Sequence, residues 1–147
     1  MENVWNSAYK SKQGNVGLGA AIAYYTSVGI PISIPLNDTQ GYDLVVDKEG
    51  LLYRVSVKTT QDMNDSNTSH VVWLRNSGGS SGKSKTRPFN KESCDILFVL
   101  TKSGDLYEIP TDKINVTTAL TLTEDWKNYI VSIDYSSQHK SFNVEED

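Results

Sequence analysis

The chain contains 147 residues, of which 37% are hydrophobic and 22% are charged, proportions typical of a folded globular protein and unlike those of a disordered chain. Its formal net charge of -4 at pH 7 argues mildly against a nucleic-acid partner, although an acidic protein can still carry a local basic surface. No apolar run approaches membrane-spanning length and the first residues contain no apolar signal core, so we expect a cytoplasmic protein with no membrane segment.

The first predicted element is a helix over residues 16–28, preceded by a polar, loosely ordered lead-in over residues 1–14. Four apolar residues recur at helical spacing within it: Leu18, Ala21, Ile22 and Tyr25. Gly29 stands where a C-terminal cap is expected. Gly17 and Gly19 weaken the first turn but suit close packing or the approach of a ligand.

The middle of the chain predicts strands. Residues 30–36 carry two prolines, which fits an edge strand because proline cannot donate to a central ladder. The alternating runs 42–47 and 51–60 are joined by a short segment that contains glycine, so they predict a β-hairpin. Residues 71–74 predict a further short strand.

The second half predicts a Ser/Gly-rich loop over residues 76–87 and a second hairpin formed by 94–100 and 106–109. Cys94, the only cysteine, is expected to be an inert thiol in a buried strand. Thr123 is a good N-cap for a final helix. The apolar residues expected on that helix are Trp126, Tyr129, Ile130 and Ile133.

This order of elements predicts a single α+β domain over residues 1–147, with α/β-like features, a mixed central sheet flanked by helices, and a tail that frays from about residue 136. Strand alternation further predicts that Asp43, Ser56 and Lys58 share one surface of the first hairpin if its apolar faces agree. An acid, a hydroxyl and a lysine together can bind a metal and a scissile phosphate. The Asp–Lys spacing alone is common by chance, and a hairpin aspartate is usually a turn or surface residue.

A basic stretch that contains no acidic residue runs through the predicted loop. Its arginines and lysines are Arg75, Lys83, Lys85, Arg87 and Lys91. One interpretation is a solvated linker whose charges serve solubility. The other is an arm that contacts DNA phosphates.

Other residues favour ordinary structural roles. His70 and His139 are far apart and have no cysteine or histidine partner at zinc spacing, so a zinc site is not predicted. Trp73 and Trp126 are predicted to be core residues, since strand and helix tryptophans more often pack inside than stack on bases.

Several segments, in order, resemble the PD-(D/E)XK nuclease family, and within it the small homing endonucleases encoded by group I introns. These segments are GNVG, GAAIAYYTSVGIPISIP, YDLVVDKEGLLYRVSVKTT, ESCDILFVL and GDLYEIP. The resemblance covers roughly residues 12–112. It is more specific than any one motif because the motifs occur in the right order.

The resemblance implies the PD-(D/E)XK fold and hydrolysis of double-stranded DNA with Mg²⁺ or Mn²⁺. It assigns Asp43 as the metal-binding aspartate, the backbone carbonyl of Val57 as a second metal ligand and Lys58 as the catalytic lysine. It favours DNA contact by the basic stretch, with Arg75, Lys83, Lys85 and Arg87 as the candidates. A site-specific, homing-type enzyme acting as a dimer or tetramer is expected, because two strands must be cut and each chain holds one site.

Two positions depart from the family pattern. Ser56 stands where the family has Glu, Asp or Gln, and Leu18 stands where this branch has a glutamate. Asp43 is then the only carboxylate at the three matched positions, unless Asp47 or Asp38 substitutes. Alternatives are therefore a catalytically weakened DNA-binding module of the same fold, or another nuclease such as a Holliday junction resolvase or restriction-type enzyme.

Overall fold

The computed structural model of the protein describes residues 3–6, 10–37, 39–77 and 86–136. The helices are α1 (Lys10–Ser27) and two short 3₁₀ helices, Thr111–Lys113 and Glu124–Tyr129. The strands are β1 (Ile32–Ser33), β2 (Leu44–Lys48), β3 (Leu51–Thr60), β4 (Val71–Trp73), β5 (Asn76–Ser77), β6 (Thr86–Arg87), β7 (Ile96–Thr101), β8 (Leu106–Pro110), β9 (Ala119–Thr121) and β10 (Ile130–Val131).

The central sheet contains six strands in the order β1-β2-β3-β7-β8-β10. The β3–β7 pair is parallel and the other described pairs of this sheet are antiparallel. The mixed sheet and the α+β class are confirmed, and so are both predicted hairpins. The turn of the first hairpin places Glu49 and Gly50 at positive φ, as a tight two-residue turn requires. β1 is an edge strand and covers only two residues of the predicted strand, between Pro31 and Pro35.

Helix α1 packs across one face of the sheet. Its buried residues Ala21 and Tyr25 meet Leu44 and Val55 from the first hairpin. The helix approaches β3 closely at Gly17, where any Cβ atom would collide with the Thr59 methyl group. This contact explains why the sequence has glycine there although glycine weakens a helix.

The helix begins at Lys10, earlier than predicted, and ends where predicted. The lead-in interpretation is wrong for residues 10–14, because their polar side chains give no apolar period although they are helical. Gln13 is nonetheless buried, and its side-chain amide donates to the carbonyl of Asn6. At the other end Gly29 adopts a left-handed φ of 76° and terminates the helix.

The opposite face of the sheet is covered by a second, two-stranded sheet of β4 and β9. Inward residues of this small sheet, including Val72 and Leu120, join Leu97 and Val99 of β7 in a core cluster. Cys94 is buried in the same cluster, just before β7, as predicted.

The predicted C-terminal helix is wrong. Residues 124–129 form a 3₁₀ helix, and Ile130–Val131 then pairs with β8 as an edge strand. Trp126 and Tyr129 pack against the core, so the apolar spacing reflects burial, but a short apolar run does not distinguish a helix from a turn followed by a strand. The predicted frayed tail lies almost entirely outside the described residues. Within the described part, no helix is long and apolar enough to cross a membrane.

Candidate active site

The candidate site lies where β2 begins beside the middle of β3. The backbone N–H of Asp43 donates to the carbonyl oxygen of Val55 at 2.8 Å. The backbone N–H of Val57 donates to Oδ2 of the Asp43 carboxylate at 2.7 Å. These two bonds hold the exposed carboxylate at the edge of β3, just ahead of the regular β2–β3 ladder.

Asp43, Ser56 and Lys58 share a face of the sheet, as the alternation predicted. Leu44 and Val55 are paired across the two strands, and both are fully buried against α1. Their chain neighbours Asp43 and Ser56 therefore face away from α1, and Lys58 follows Ser56 by two residues on the same side.

The Lys58 ammonium has an unusual electrostatic environment. Burial lowers its pKa, because the charged form loses solvation, and the nearby Asp43 carboxylate opposes part of that lowering. Ser56, two residues before Lys58, is buried. The buried thiol of Cys94 lies close enough to interact electrostatically with Lys58. A lysine whose pKa is lowered by burial and that lies near a carboxylate is typical of functional sites.

The backbone N–H and C=O groups of Val57 lie on the side of β3 that faces β2. Alternate residues of a strand direct their N–H and C=O groups to the same side. Val55 and Val57 both bond to Asp43 and so face β2, but the β2–β3 ladder ends at the Leu44–Val55 pair. The carbonyl oxygen of Val57 therefore lies on the β2 side of β3, beyond the last pair of the ladder.

Of the two suggested substitutes for the missing carboxylates, only Asp47 lies within the described residues, and it does not reach the site. Asp47 lies at the far end of β2, about 13 Å from Asp43 along the strand, and accepts a turn hydrogen bond from Gly50. Asp38 falls outside the described residues. Leu18 follows Gly17 on α1 and packs partly buried against the helix-side core. Across the described ranges no three acidic, histidine or cysteine side chains form a metal-binding group.

The donors present still fit a magnesium site of low charge. Mg²⁺ prefers oxygen ligands, keeps several waters and is commonly held by one or two carboxylates together with substrate phosphates. The Asp43 carboxylate, the Val57 carbonyl and the Ser56 hydroxyl are oxygen donors of that kind, with a single anionic group among them.

The predicted DNA-contacting loop begins and ends in a two-stranded antiparallel ribbon. β5 pairs with β6, matching Asn76 to Arg87, and residues 78–85 between the two strands fall outside the described part of the chain. Arg75 and Arg87 are exposed at its base, and Arg75 donates to the Thr118 hydroxyl. Lys83 and Lys85 lie outside the described residues.

Two features escaped the sequence analysis. Trp73 was predicted to be a core residue, but more than half of its side chain is exposed. Arg54 and Asp95 form an ion pair between β3 and the start of β7, which strand alternation alone cannot reveal because the two residues are 41 positions apart in the chain. The pairing of β3 with β7 is the missing information.

Comparisons with known proteins bear on the family and the fold. The family model of the PD-(D/E)XK endonucleases matches residues 9–142. Among solved structures, the chain is similar to the bacterial homing endonuclease I-Ssp6803I, with 26% sequence identity, a TM-score of 0.66 and coverage of 78% of each chain. The chain matches no curated relative in a sequence search.

Proposed function

This chain belongs to the PD-(D/E)XK endonuclease family, and we infer from that premise that it is a metal-dependent, site-specific endonuclease acting on double-stranded DNA. One observation carries the proposal. The carboxylate of Asp43 is fixed by the Val57 amide at the same edge and on the same face as Lys58, whose pKa is lowered by burial. An oxygen ligand and a lysine next to one strand edge are the parts that phosphodiester hydrolysis needs.

Each residue has a distinct role in this proposal. Asp43 is the main ligand of Mg²⁺ or Mn²⁺, with the Val57 carbonyl and the Ser56 hydroxyl as neutral oxygen donors. When bound, the ion supplies an activated water and stabilises charge developing on phosphorus. Lys58 orients or deprotonates the attacking water and balances negative charge. Its lowered pKa favours proton transfer, because a larger fraction is neutral at a given pH.

The ribbon of β5 and β6 supports DNA binding. A two-stranded ribbon fits the major groove of B-DNA, and basic side chains on it neutralise phosphates. Arg75 and Arg87 at its base, together with Lys83 and Lys85, are the proposed contacts. A dimer or tetramer supplies the second site that a double-strand cut requires.

The direct test is cleavage of a supercoiled plasmid and of a long linear duplex over a magnesium and manganese titration. We expect metal-dependent nicking followed by a small set of discrete linear fragments, which a random cutter would not give. A four-way junction of unrelated sequence serves as the control substrate. Preferential resolution of the junction would replace the homing-type proposal with the resolvase alternative.

The basic ribbon is tested by salt dependence. Neutralising Lys83, Lys85 and Arg87 together should weaken duplex binding. The slope of log affinity against log salt should flatten by up to about 0.9 for each lost phosphate contact. Replacing the exposed Lys127, which lies on a different element, is the matched control. An unchanged slope in the triple variant would return this segment to the role of a solvated linker.

A second candidate function rests on the single carboxylate. With Leu18 and Ser56 at the family's acidic positions, the chain is also consistent with a DNA-binding module of this fold that has weakened catalysis. Site-specific duplex binding with no cleavage in either metal, at any concentration up to saturation of binding, would favour this module over the enzyme.

A further inference from the structure

The outer face of the small β4–β9 sheet carries an exposed tryptophan. Val72 and Leu74 point inward to the core, and Trp73 between them points outward with 55% of its surface exposed. Its cross-strand partner is Ala119, whose single methyl group cannot cover an indole ring. Trp73 is the last residue of β4, so its indole lies at the end of the small sheet, and tryptophan is among the residues most often found at binding hot spots.

The orientation and chemistry of this ring are fixed. The indole Nε1–H donates to Oδ2 of Asp62 at 2.8 Å. Indole has no other polar group, so its hydrogen-bonding capacity is already used. What the ring offers to a partner is therefore an apolar π-surface held at a defined angle, with no donor for a phosphate.

A hydrogen bond and the order of the chain connect β4, which ends at Trp73, both to the strand that carries Lys58 and to the basic ribbon. The Thr60 hydroxyl donates to the carbonyl of Val71, which ties β4 to the end of β3. Thr60 follows Lys58 by two residues on the same face, a distance of about 7 Å along a strand. In the other direction, Arg75 follows Trp73 by two residues and is exposed, and the ribbon begins at the next residue.

We propose that Trp73 is a DNA-positioning residue, which stacks on an exposed base or packs on a deoxyribose beside the cleavage site. The inference rests on the proposed DNA-endonuclease function. Arg75 supplies the charge that attracts the strand, and the indole supplies a contact that does not depend on charge. Asp62 holds the indole in place, so Trp73 acts on cleavage only by positioning the DNA.

The first measurement is duplex affinity as a function of salt for Trp73→Ala, Arg75→Gln and Tyr135→Ala. Base–aromatic contacts of this kind change affinity by about 5- to 150-fold per base on truncation to alanine. We expect Trp73→Ala to weaken binding within that range while leaving the salt slope unchanged. Arg75→Gln should flatten the slope by about 0.9. Tyr135, which is 68% exposed on a distant segment, should have no effect.

The second measurement reports the contact without relying on activity. The whole chain labelled with 5-fluorotryptophan gives three ¹⁹F resonances, because the sequence contains three tryptophans. The resonance missing from Trp73→Phe is that of Trp73. Addition of cognate duplex should shift this resonance most, and Asp62→Ala should broaden it in the free protein, because the ring loses its anchor.

The outcomes separate this inference from the function on which it rests. If the native chain binds no duplex DNA, both the function and the inference are wrong. If it binds duplex but folded Trp73→Ala binds equally well and the Trp73 resonance does not move, only the inference is wrong. If Trp73→Ala instead abolishes self-association in analytical ultracentrifugation and the resonance ignores DNA, the ring belongs to a protein interface and the inference is likewise overturned.

Discussion

Strand β3 carries two basic residues on the same face, Arg54 and Lys58, and each has an acidic neighbour from another segment. The contrast between these two pairs distinguishes structure from function. Arg54 and Asp95 satisfy each other: three Arg54 nitrogens, one of them backbone, donate to the Asp95 carboxylate at 2.7–3.2 Å. The guanidinium also donates to the carbonyl of Glu92. Four residues further along, Lys58 is half-buried, and Asp43 interacts with it through charge while accepting from a backbone amide.

The pKa directions express the same difference. Hydrogen bonds from Arg54 hold the pKa of Asp95 below its usual range, so that pair is locked in its charged form. Burial moves the pKa of Lys58 downward, which brings its neutral form closer to physiological pH. The hydrogen bonds between Arg54 and Asp95 fix two strands to each other. A lysine whose pKa is lowered by desolvation, beside a carboxylate, suits a step in which a proton or a charge moves.

The largest effect is expected for Lys58→Met. Removing a residue that transfers a proton or balances charge at the phosphate should lower the cleavage rate by as much as about 10⁴-fold. Duplex binding should persist, because Met occupies a similar volume. Circular dichroism and a gel-shift assay are the controls, with Lys102→Met as the matched exposed lysine. Undiminished cleavage by the folded variant would remove Lys58 from the mechanism.

The stability of Lys58→Met tests the same desolvation of Lys58. Because burial lowers the folded-state pKa of Lys58, the ammonium costs stability at pH values below that pKa, and this cost disappears as pH rises toward the unfolded value of about 10.4. Lys58→Met should therefore be more stable than the parent at neutral pH, and the difference should shrink in alkali. Urea unfolding at several pH values measures this, and a constant difference would contradict the desolvation argument.

Asp43→Asn should have the next largest effect. It keeps the shape of the side chain and removes the only carboxylate among the proposed ligands, so metal-dependent cleavage should fall by about 100-fold or more. DNA binding should persist or rise, since a negative charge near phosphate is lost. The pKa of Lys58 should fall further without its acidic neighbour, which a ¹³Cε NMR titration reports. Equal metal affinity in parent and variant, measured by calorimetry, would show that the ligand is elsewhere.

The first hairpin and the site face were predictable because local signals determined both. Alternation over residues 51–60 and a glycine turn specify strand pairing, and pairing specifies which face Asp43 and Lys58 occupy. The structure of residues 124–131 was not predictable in this way. The spacing of Trp126 to Ile130 fits a helix, but the edge of β8 was available for pairing, and Ile130 and Val131 took it.

Exposure of Trp73 was also invisible in the sequence. Alternation places Val72 and Leu74 on one side of β4 and Trp73 on the other, but it does not say whether another layer covers the second side. The small partner Ala119 belongs to a strand about 46 residues away, so the open space around the indole follows from tertiary pairing alone.

A smaller effect, opposite in sign, is expected on restoring the family pattern. Leu18→Glu with Ser56→Gln adds an anionic and an amide oxygen near Val57, so a lower magnesium concentration should support cleavage, by several-fold. Both positions are at least partly buried, so the substitutions should also cost about 1–3 kcal/mol of unfolding free energy. Leu18→Gln with Ser56→Gln is the matched uncharged control. If the parent already cuts rapidly at low magnesium and the changes add nothing, other groups complete the site.

The smallest effect is expected at the structural pair. Arg54 and Asp95 are 40% and 38% exposed, so solvent screens their attraction, and Arg54→Ala should lower the free energy of unfolding by about 1 kcal/mol or less. The backbone amide of Arg54 still donates to Asp95 in that variant, which limits the loss. Cleavage should stay within a few-fold of the parent.

The pH dependence of that small loss identifies its origin. The folded-state pKa of Asp95 is lowered mainly by the Arg54 side chain, so the stabilisation is present above the unfolded value of about 3.9 and is lost as pH falls through the folded pKa. The deficit of Arg54→Ala in urea unfolding should therefore be visible at neutral pH and vanish in strong acid, and Asp95→Asn should show the same profile. A double-mutant cycle isolates the coupling between the two side chains. If Arg54→Ala were folded and stable but inactive, the contrast between a structural pair and a functional pair on β3 would fail, and the site would have to extend along the whole polar face of the strand.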